Sequence, residues 1–331
     1  MICLEYASMF FYTKEHNTLT KHPLTPDSDL LDSTLWIDLL NLSPSEETRI
    51  EHFLGIELPT REEMHEIEVS SRLYTHNDAL YMTATLVTNT ETLDPETHAV
   101  TFILSNERLI TIRYTDPKTF HLFSNRVERL PVGQLNGNSL FIELVEVIID
   151  RIADILERIG QNIDGLTRLI FRNSPSHDDH TKTNYQEVLE HIGLNGDLVS
   201  KTRESLVTIN RMVSYAHQSG RIKQVESIHH LSTLAKDMAS LSDHASFLSN
   251  KVNFLLDATL GMINIEQNNI IKIFSIAAVM FLPPTLIASI YGMNFDVMPE
   301  LHWEFGHPLS VALMLLSSWV PYKYFKRKKW L

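Results

Sequence analysis

The run IFSIAAVMFLPPTLIASI, Ile273 to Ile290, holds 18 consecutive positions without a charge. A helix needs roughly 17 to 25 apolar residues to cross a bilayer, so this stretch predicts a membrane span. A second uncharged run, PLSVALMLLSSWVPY from Pro308 to Tyr322, has 15 residues. It reaches a usable length if His307 and the Tyr322 to Phe325 end sit at the interface, where Tyr and Trp are favoured. The alternative is a helical hairpin buried in a soluble core, but the pair closes on Lys326-Arg327-Lys328-Lys329. The link from Tyr291 to His307 contains no Lys or Arg and carries Asp296, Glu300 and Glu304, whereas Lys272 precedes the first run. By the positive-inside rule both termini are expected in the cytoplasm and the short acidic loop outside. The opening MICLEYASMFFY carries Glu5 and lacks a basic leader, so no signal peptide is expected.

The rest of the chain fits a cytoplasmic body on a membrane anchor. Among 331 residues there are 41 acidic and 28 basic side chains, a formal charge of -13, and five of the basic ones fall in the last nine positions. Without a basic cluster elsewhere, nucleic acid is excluded as a partner. Cys3 is the single cysteine, which points to a reducing compartment. Up to about Val132, strand-like segments (Thr34 to Leu39, Ala79 to Val87, Val100 to Leu104, Leu109 to Tyr114) alternate with helix starts. Capping boxes stand at Ser43-Pro44-Ser45-Glu46 and Thr60-Arg61-Glu62-Glu63. Beyond Gly137 three long amphipathic segments follow, Ser139 to Phe171, about Lys182 to His217, and Arg221 into the membrane run. The expected organisation is an α/β cytoplasmic domain (1–137), a helical stalk (138–270) and a transmembrane part (271–331). The last has spans at about 271–291 and 307–325, an external loop at 292–306 and a basic cytoplasmic tail. Unbroken from Arg221 to Ile290, the third segment would be about 105 Å long at ~1.5 Å per residue.

No enzyme is expected. The chain has 11 glycines and none of the G-x-x-x-x-G-K-[ST], G-x-G-x-x-G or G-x-S-x-G patterns. His65-Glu66 lacks the second histidine of a zinc protease helix. His177-Asp178-Asp179-His180 reads as a solvated helix connection, and His229-His230 occupies adjacent helix positions that do not face one ligand.

Stepping from Asp257 by alternating fours and threes gives Gly261, Asn264, Asn268, Ile271, Ser275, Ala278, Leu282, Thr285, Ser289 and Gly292. This is a coiled-coil seam of small and polar residues running into a membrane helix. Periodicity leaves two readings open: close helix packing through small side chains, or copies of the helix around an aqueous path. On the second reading Ile271 and Leu282 are apolar constrictions in a polar lining.

Tyr291-Gly292-Met293-Asn294-Phe295, followed by Met298-Pro299-Glu300-Leu301, Trp303, Gly306 and Pro308, closely resembles the CorA family of magnesium channels. The order of parts looks alike over essentially the whole chain. The resemblance implies a funnel-shaped homopentamer whose first spans line the pore. It also implies a selectivity filter at Gly292, Met293 and Asn294, with a ring of Asn294 amides at the outer mouth. Neutral amides suit Mg²⁺, which gives up its water reluctantly and can be held by its hydration shell. Asn268 and Thr285 match pore-lining polar positions, Ile271 and Leu282 the hydrophobic gate positions, and Asp257 an acidic position at the cytoplasmic mouth. Thr233 stands where some members carry a second regulatory carboxylate, leaving Asp237 and Asp243 as weak substitutes. Mg²⁺ is then the transported and regulatory ion, with Co²⁺ or Ni²⁺ as further cargo, no organic cofactor, and membrane lipid as surroundings. A zinc transporter of the same superfamily is the first alternative, disfavoured by Met293 and the Met298 to Leu301 loop. A membrane-anchored coiled-coil scaffold or sensor is the second, disfavoured by Asn264, Asn268 and Asn294.

Overall fold

The computed structural model describes residues 9–15, 18–24, 33–129, 135–172, 184–293, 303–328 and 330. It divides into two compact units, Met1–Leu256 and Asp257–Leu331. The first is built on a seven-stranded sheet with strands β1 (Met9–Glu15), β2 (Thr18–Pro23), β3 (Thr34–Leu40), β4 (Leu73–His76), β5 (Ala79–Thr88), β6 (Glu96–Ser105) and β7 (Arg108–Arg113). Their order across the sheet is β2-β1-β3-β7-β6-β5-β4. Every pairing is antiparallel except β3 with β7, where Trp36 lies beside Leu109 and Asp38 beside Thr111.

Alternation along the central strands sends side chains to two buried layers. Ile37, Leu39, Ile110 and Ile112 join Phe11, Tyr81 and Ile103 in one core with Ile50, Leu58 and Met64. These last three come from helices α1 (Pro44–Leu54) and α2 (Arg61–His65) and the loop between them. A short α3 (Val69–Arg72) leads into β4. Trp36, Asp38, Thr111 and Arg113 project to the other face, which α4 (Lys118–Val127) and α5 (Gly137–Arg172) help to cover. There Tyr12 stacks on Trp36 at 4.2 Å between ring centroids and Phe123 meets the indole edge-on at 4.9 Å.

The Thr60 capping box forms in full, with Thr60 N–H donating to Glu63 Oε2 (2.8 Å) and Glu63 N–H to Thr60 Oγ1 (3.3 Å). At Ser43 the capping box forms as well, Ser43 N–H donating to Glu46 Oε2 at 3.0 Å and the Ser43 hydroxyl to the same oxygen at 2.6 Å. The β6–β7 hairpin turns at Asn106 and Glu107, both at positive φ (47° and 62°), as a two-residue turn requires. That turn is the seat of α5: a Cβ on Gly137 would lie 2.4 Å from the Arg108 carbonyl carbon.

Helices α5, α6 (Tyr185–Gln218) and α7 (Val225–Tyr291) realise the three amphipathic segments. Helix α7 has 67 residues, about 100 Å at ~1.5 Å per residue. Its N-terminal half belongs to the first unit, where Leu231, Leu234, Met238, Ala245, Leu248 and Leu255 are buried at helical spacing. Lys251 pairs with Asp164 of α5, and Phe254 stacks on Phe171. The second unit holds the remainder of α7 and α8 (Gly306–Arg327).

Candidate cation pathway

Among the described residues α7 is the helix long and apolar enough to cross a membrane, and 6% of its most apolar window is buried. It is therefore not the core of a soluble domain within this chain. Helix α8 has 22 residues, but His307, Pro308, Ser310, Ser317, Ser318 and Pro321 dilute its apolar character.

In the membrane half of α7, Ile276 is buried and Met280, Pro283 and Ile287 are half-buried, one stripe at steps of four, three and four. On α8 the shielded positions Gly306, Ser310, Met314, Ser317, Pro321 and Phe325 likewise make a single stripe. With roughly 100° per residue, Ile271, Ser275, Ala278, Leu282, Thr285 and Ser289 lie about 200° around α7 from its shielded stripe. All six, and Asp257 and Asn268 above them, are exposed. The small and polar seam is thus the free face of the helix, not the face it uses to pack within its own chain. Ile271 and Leu282, 62% and 66% exposed, are apolar side chains with nothing over them.

Two local features shape this face. Pro283 and Pro284 lie inside the helix and lack the N–H groups that would bond the carbonyls of Val279 and Met280. The next residue, Thr285, donates its hydroxyl to the Phe281 carbonyl at 2.7 Å. At the end of α7, Gly292 N–H donates to Ala288 O (3.0 Å) and Met293 N–H to Ile290 O (3.3 Å), closing the helix in a tight turn. A Cβ at Gly292 would sit 3.2 Å from the Ala288 carbonyl oxygen, so this close approach suits a glycine. Met293 is exposed at the tip. Asn294, Asp296 and Glu300 lie outside the described residues, as do His177 to His180; Glu304 is exposed just before α8.

The cytoplasmic acids are scattered. Asp237, Asp243 and Asp257 are all exposed, and none belongs to a group of three convergent metal-ligating side chains among the described residues. Thr233 is exposed and its hydroxyl donates to the His229 carbonyl at 3.2 Å. The charged cluster that sequence reading missed lies on α4, α5 and the start of α7. Arg126 Nη2 is 2.9 Å from Glu143 Oε2 and 3.2 Å from Glu146 Oε2, and His230 Nε2 is 3.5 Å from Glu146 Oε2. Only the i, i+3 spacing of the two glutamates was visible beforehand.

The sequence matches the profile described as CorA-like Mg2+ transporter protein across residues 32–327. The chain belongs to the CorA-like family. It is 37% identical over 311 residues to the magnesium transport protein CorA of Wolinella succinogenes, covering 93% of this chain and 94% of that one. The CorA protein of Escherichia coli K12 is 36% identical over 323 residues, covering 96% and 98%. In structure the chain is similar to the CorA magnesium transporter of Methanocaldococcus jannaschii, with a TM-score of 0.76 over the whole of both chains at 21% identity. That likeness carries the CorA fold, an N-terminal α/β domain followed by long helices.

Proposed function

We propose that the chain is a Mg²⁺ transport protein of the cell membrane, in which the membrane half of α7 from several copies surrounds the ion path. The observation that carries this reading is the free face of α7: its polar seam points away from the stripe shielded within the chain. In hydrocarbon such a face needs a partner or water, and a ring of copies supplies both. The family relationship favours five copies in a funnel, both termini in the cytoplasm, and α8 as the second span. The three parts of the chain then act as α/β domain (1–137), stalk (138–270) and membrane domain (271–331).

Asn268, Ser275, Ala278, Thr285 and Ser289 line this path with small and polar groups, and Ile271 and Leu282 form two rings that close it by excluding water. Gly292, Met293 and Asn294 make the outer filter, with the Asn294 amides holding the hydrated ion. Asp296, Glu300 and Glu304 raise the local concentration of cations at the mouth. Asp257 does the same on the cytoplasmic side, where Mg²⁺ held between stalks keeps the apolar rings narrow. Co²⁺ and Ni²⁺, similar in hydration, follow the same route.

The test is Mg²⁺ flux into liposomes reconstituted with the purified chain. Flux is expected with wild type and is expected to vanish in Asn294→Ala while the assembly keeps its size. Undiminished flux with Asn294→Ala removes Asn294 from the filter; no flux of any divalent cation with wild type removes the transport reading.

A further inference from the structure

The Arg126–Glu143–Glu146–His230 cluster lies wholly inside the first unit. Glu143 and Glu146 are one turn apart on α5 and share a face, and His230 reaches them from the first turns of α7. One ligand atom from each of the three residues falls within 4.8 Å of the others, and among the described residues no other such group occurs. Glu143 Oε2 is a buried atom that accepts no properly directed hydrogen bond, although the Arg126 guanidinium is 2.9 Å away. The guanidinium directs its hydrogen to Glu146 instead, at 3.2 Å. A single nitrogen of Arg126 therefore sits between the two carboxylates, where a small cation would sit.

Asp150, near enough to feel both Glu146 and Arg126, adds a further carboxyl beside the cluster. Partial desolvation, then the charges of Glu146, Asp154 and Asp237, push the Asp150 carboxyl above its ordinary value, with Arg126 opposing. The arginine is also the most exposed member of the cluster, at 39% for its side chain against 23% for Glu143 and 28% for Glu146.

We propose that Glu143, Glu146 and His230 form an intrachain site for a borderline transition-metal dication, Zn²⁺, Co²⁺ or Ni²⁺, with Arg126 as the resident cation that the metal displaces. The donor set decides the class of ion: an imidazole nitrogen suits Zn²⁺, Co²⁺ and Ni²⁺, whereas Mg²⁺ prefers oxygen and water. Tetrahedral coordination at about 2.1 Å places donors about 3.4 Å apart. The three donors close by little more than a side-chain rotation, and solvent completes the shell. Metal binding ties the start of α7 to α5, and release hands the carboxylates back to Arg126. The site is independent of the transport path, because none of its ligands lies in the seam.

The experiment uses the full-length protein in detergent, free of any histidine tag and stripped with chelator. It is titrated with Co²⁺ in a large excess of Mg²⁺, which occupies oxygen-only sites, and binding is read by the visible d–d absorption of nitrogen-ligated cobalt and by equilibrium dialysis. One Co²⁺ per chain is expected to survive the Mg²⁺ excess. His230→Ala should weaken it at least about tenfold, the cost of even an outer-shell change at a metal site, and Glu143→Gln should act in the same direction. Arg126→Gln should tighten it, because the competing cation is gone. Cobalt binding that Mg²⁺ erases overturns the proposal, as does binding equal in wild type and His230→Ala. Weaker binding in Arg126→Gln overturns the displacement. Circular dichroism of each variant separates lost binding from lost fold, and Arg126→Gln reads the competition with all three ligands intact.

Discussion

Replacing Asp38 by Asn tests whether the buried ion pair at the centre of the sheet holds β3 to β7. Asp38 and Arg113 are each 4% exposed in their side chains, and Arg113 Nη2 donates to Asp38 Oδ2 at 2.8 Å while Nε donates to Oδ1 at 3.0 Å. Thr111 donates its hydroxyl to the same Oδ1 at 2.8 Å, and Trp36 Nε1 donates to Thr111 at 3.0 Å. The Asn side chain keeps the shape but removes the charge and turns an N–H₂ group toward one edge of the guanidinium. Breaking a buried pair from one side costs about 3–5 kcal/mol. Arg113 retains the half-exposed Asp116, the Thr115 carbonyl and the Phe120 ring 4.6 Å away, which places the cost near the lower end, about 3 kcal/mol. In a unit of this size each kcal/mol lowers the melting temperature by about 2–4 °C, so a drop of roughly 6–12 °C is expected. Thermal unfolding of the full-length protein in detergent, followed by circular dichroism, measures it. Substituting both partners, Asp38→Leu with Arg113→Met, should recover most of the loss, because an apolar pair of similar volume is often neutral. A drop below about 2 °C for Asp38→Asn, less than 1 kcal/mol buys, would refute the reasoning.

Gly137→Ala should lower the melting temperature by several degrees, since its Cβ would meet Arg108 and Glu107 backbone atoms at 2.4 and 2.6 Å, an overpacking cost of about 1–3 kcal/mol. Gly160→Ala, whose Cβ meets nothing nearer than 3.8 Å, should instead raise it by the roughly 0.5–1 kcal/mol that a helix gains from Ala. Burial opposes ionisation of Asp116, but the Arg113 charge and hydrogen bond and then His121 outweigh it and hold the carboxyl below its ordinary value. Its contribution is therefore complete above the unfolded value near 3.8 and lost as pH falls through the folded value. The melting-temperature gap between wild type and Asp116→Asn should persist at neutral pH and close in strong acid; a gap that widens in acid contradicts the assignment. If Asp257 carries cytoplasmic sensing, millimolar Mg²⁺ should protect the stalk from protease in wild type and not in Asp257→Ala. Protection in both moves the sensor elsewhere.

What could be read from sequence was what depends on neighbours along the chain. Helices α5, α6 and α7 followed from apolar periodicity, and β3, β5, β6 and β7 from runs of β-branched and aromatic residues. Strands β1, β2 and β4 all escaped, and for the last two the reason is that they are edges: Thr18–Pro23 is polar and ends in proline, and Leu73–His76 has four residues. With one side unpaired, neither carries the alternation that a buried strand needs. Helix α4 packs through Phe120, Phe123 and Val127, a helical spacing carried by only ten residues and easily passed over at that length. The seam on α7 was legible as a pattern, but its direction was not, since which face is free depends on where α8 lies. The His230 cluster was invisible for the same reason: its members come from three helices, and adjacency of His229 and His230 drew attention to the wrong pairing.

The single parallel seam in the sheet also sets an order of assembly. Strands β4 to β7 meet their neighbours through short hairpins, so that half can zip as a local meander with little loop-closure entropy to overcome. β1 and β2, only two residues apart in the sequence, likewise pair locally. β3 must wait for β7, because Trp36 finds Leu109 only after the whole meander between them has been made. A chain emerging from the ribosome therefore carries its N-terminal β1–β3 ribbon as an open edge until Arg113 arrives to meet Asp38. Docking of that ribbon should be the slow, late step, and the interval before it is when an unpaired β3 is exposed to capture by another nascent copy.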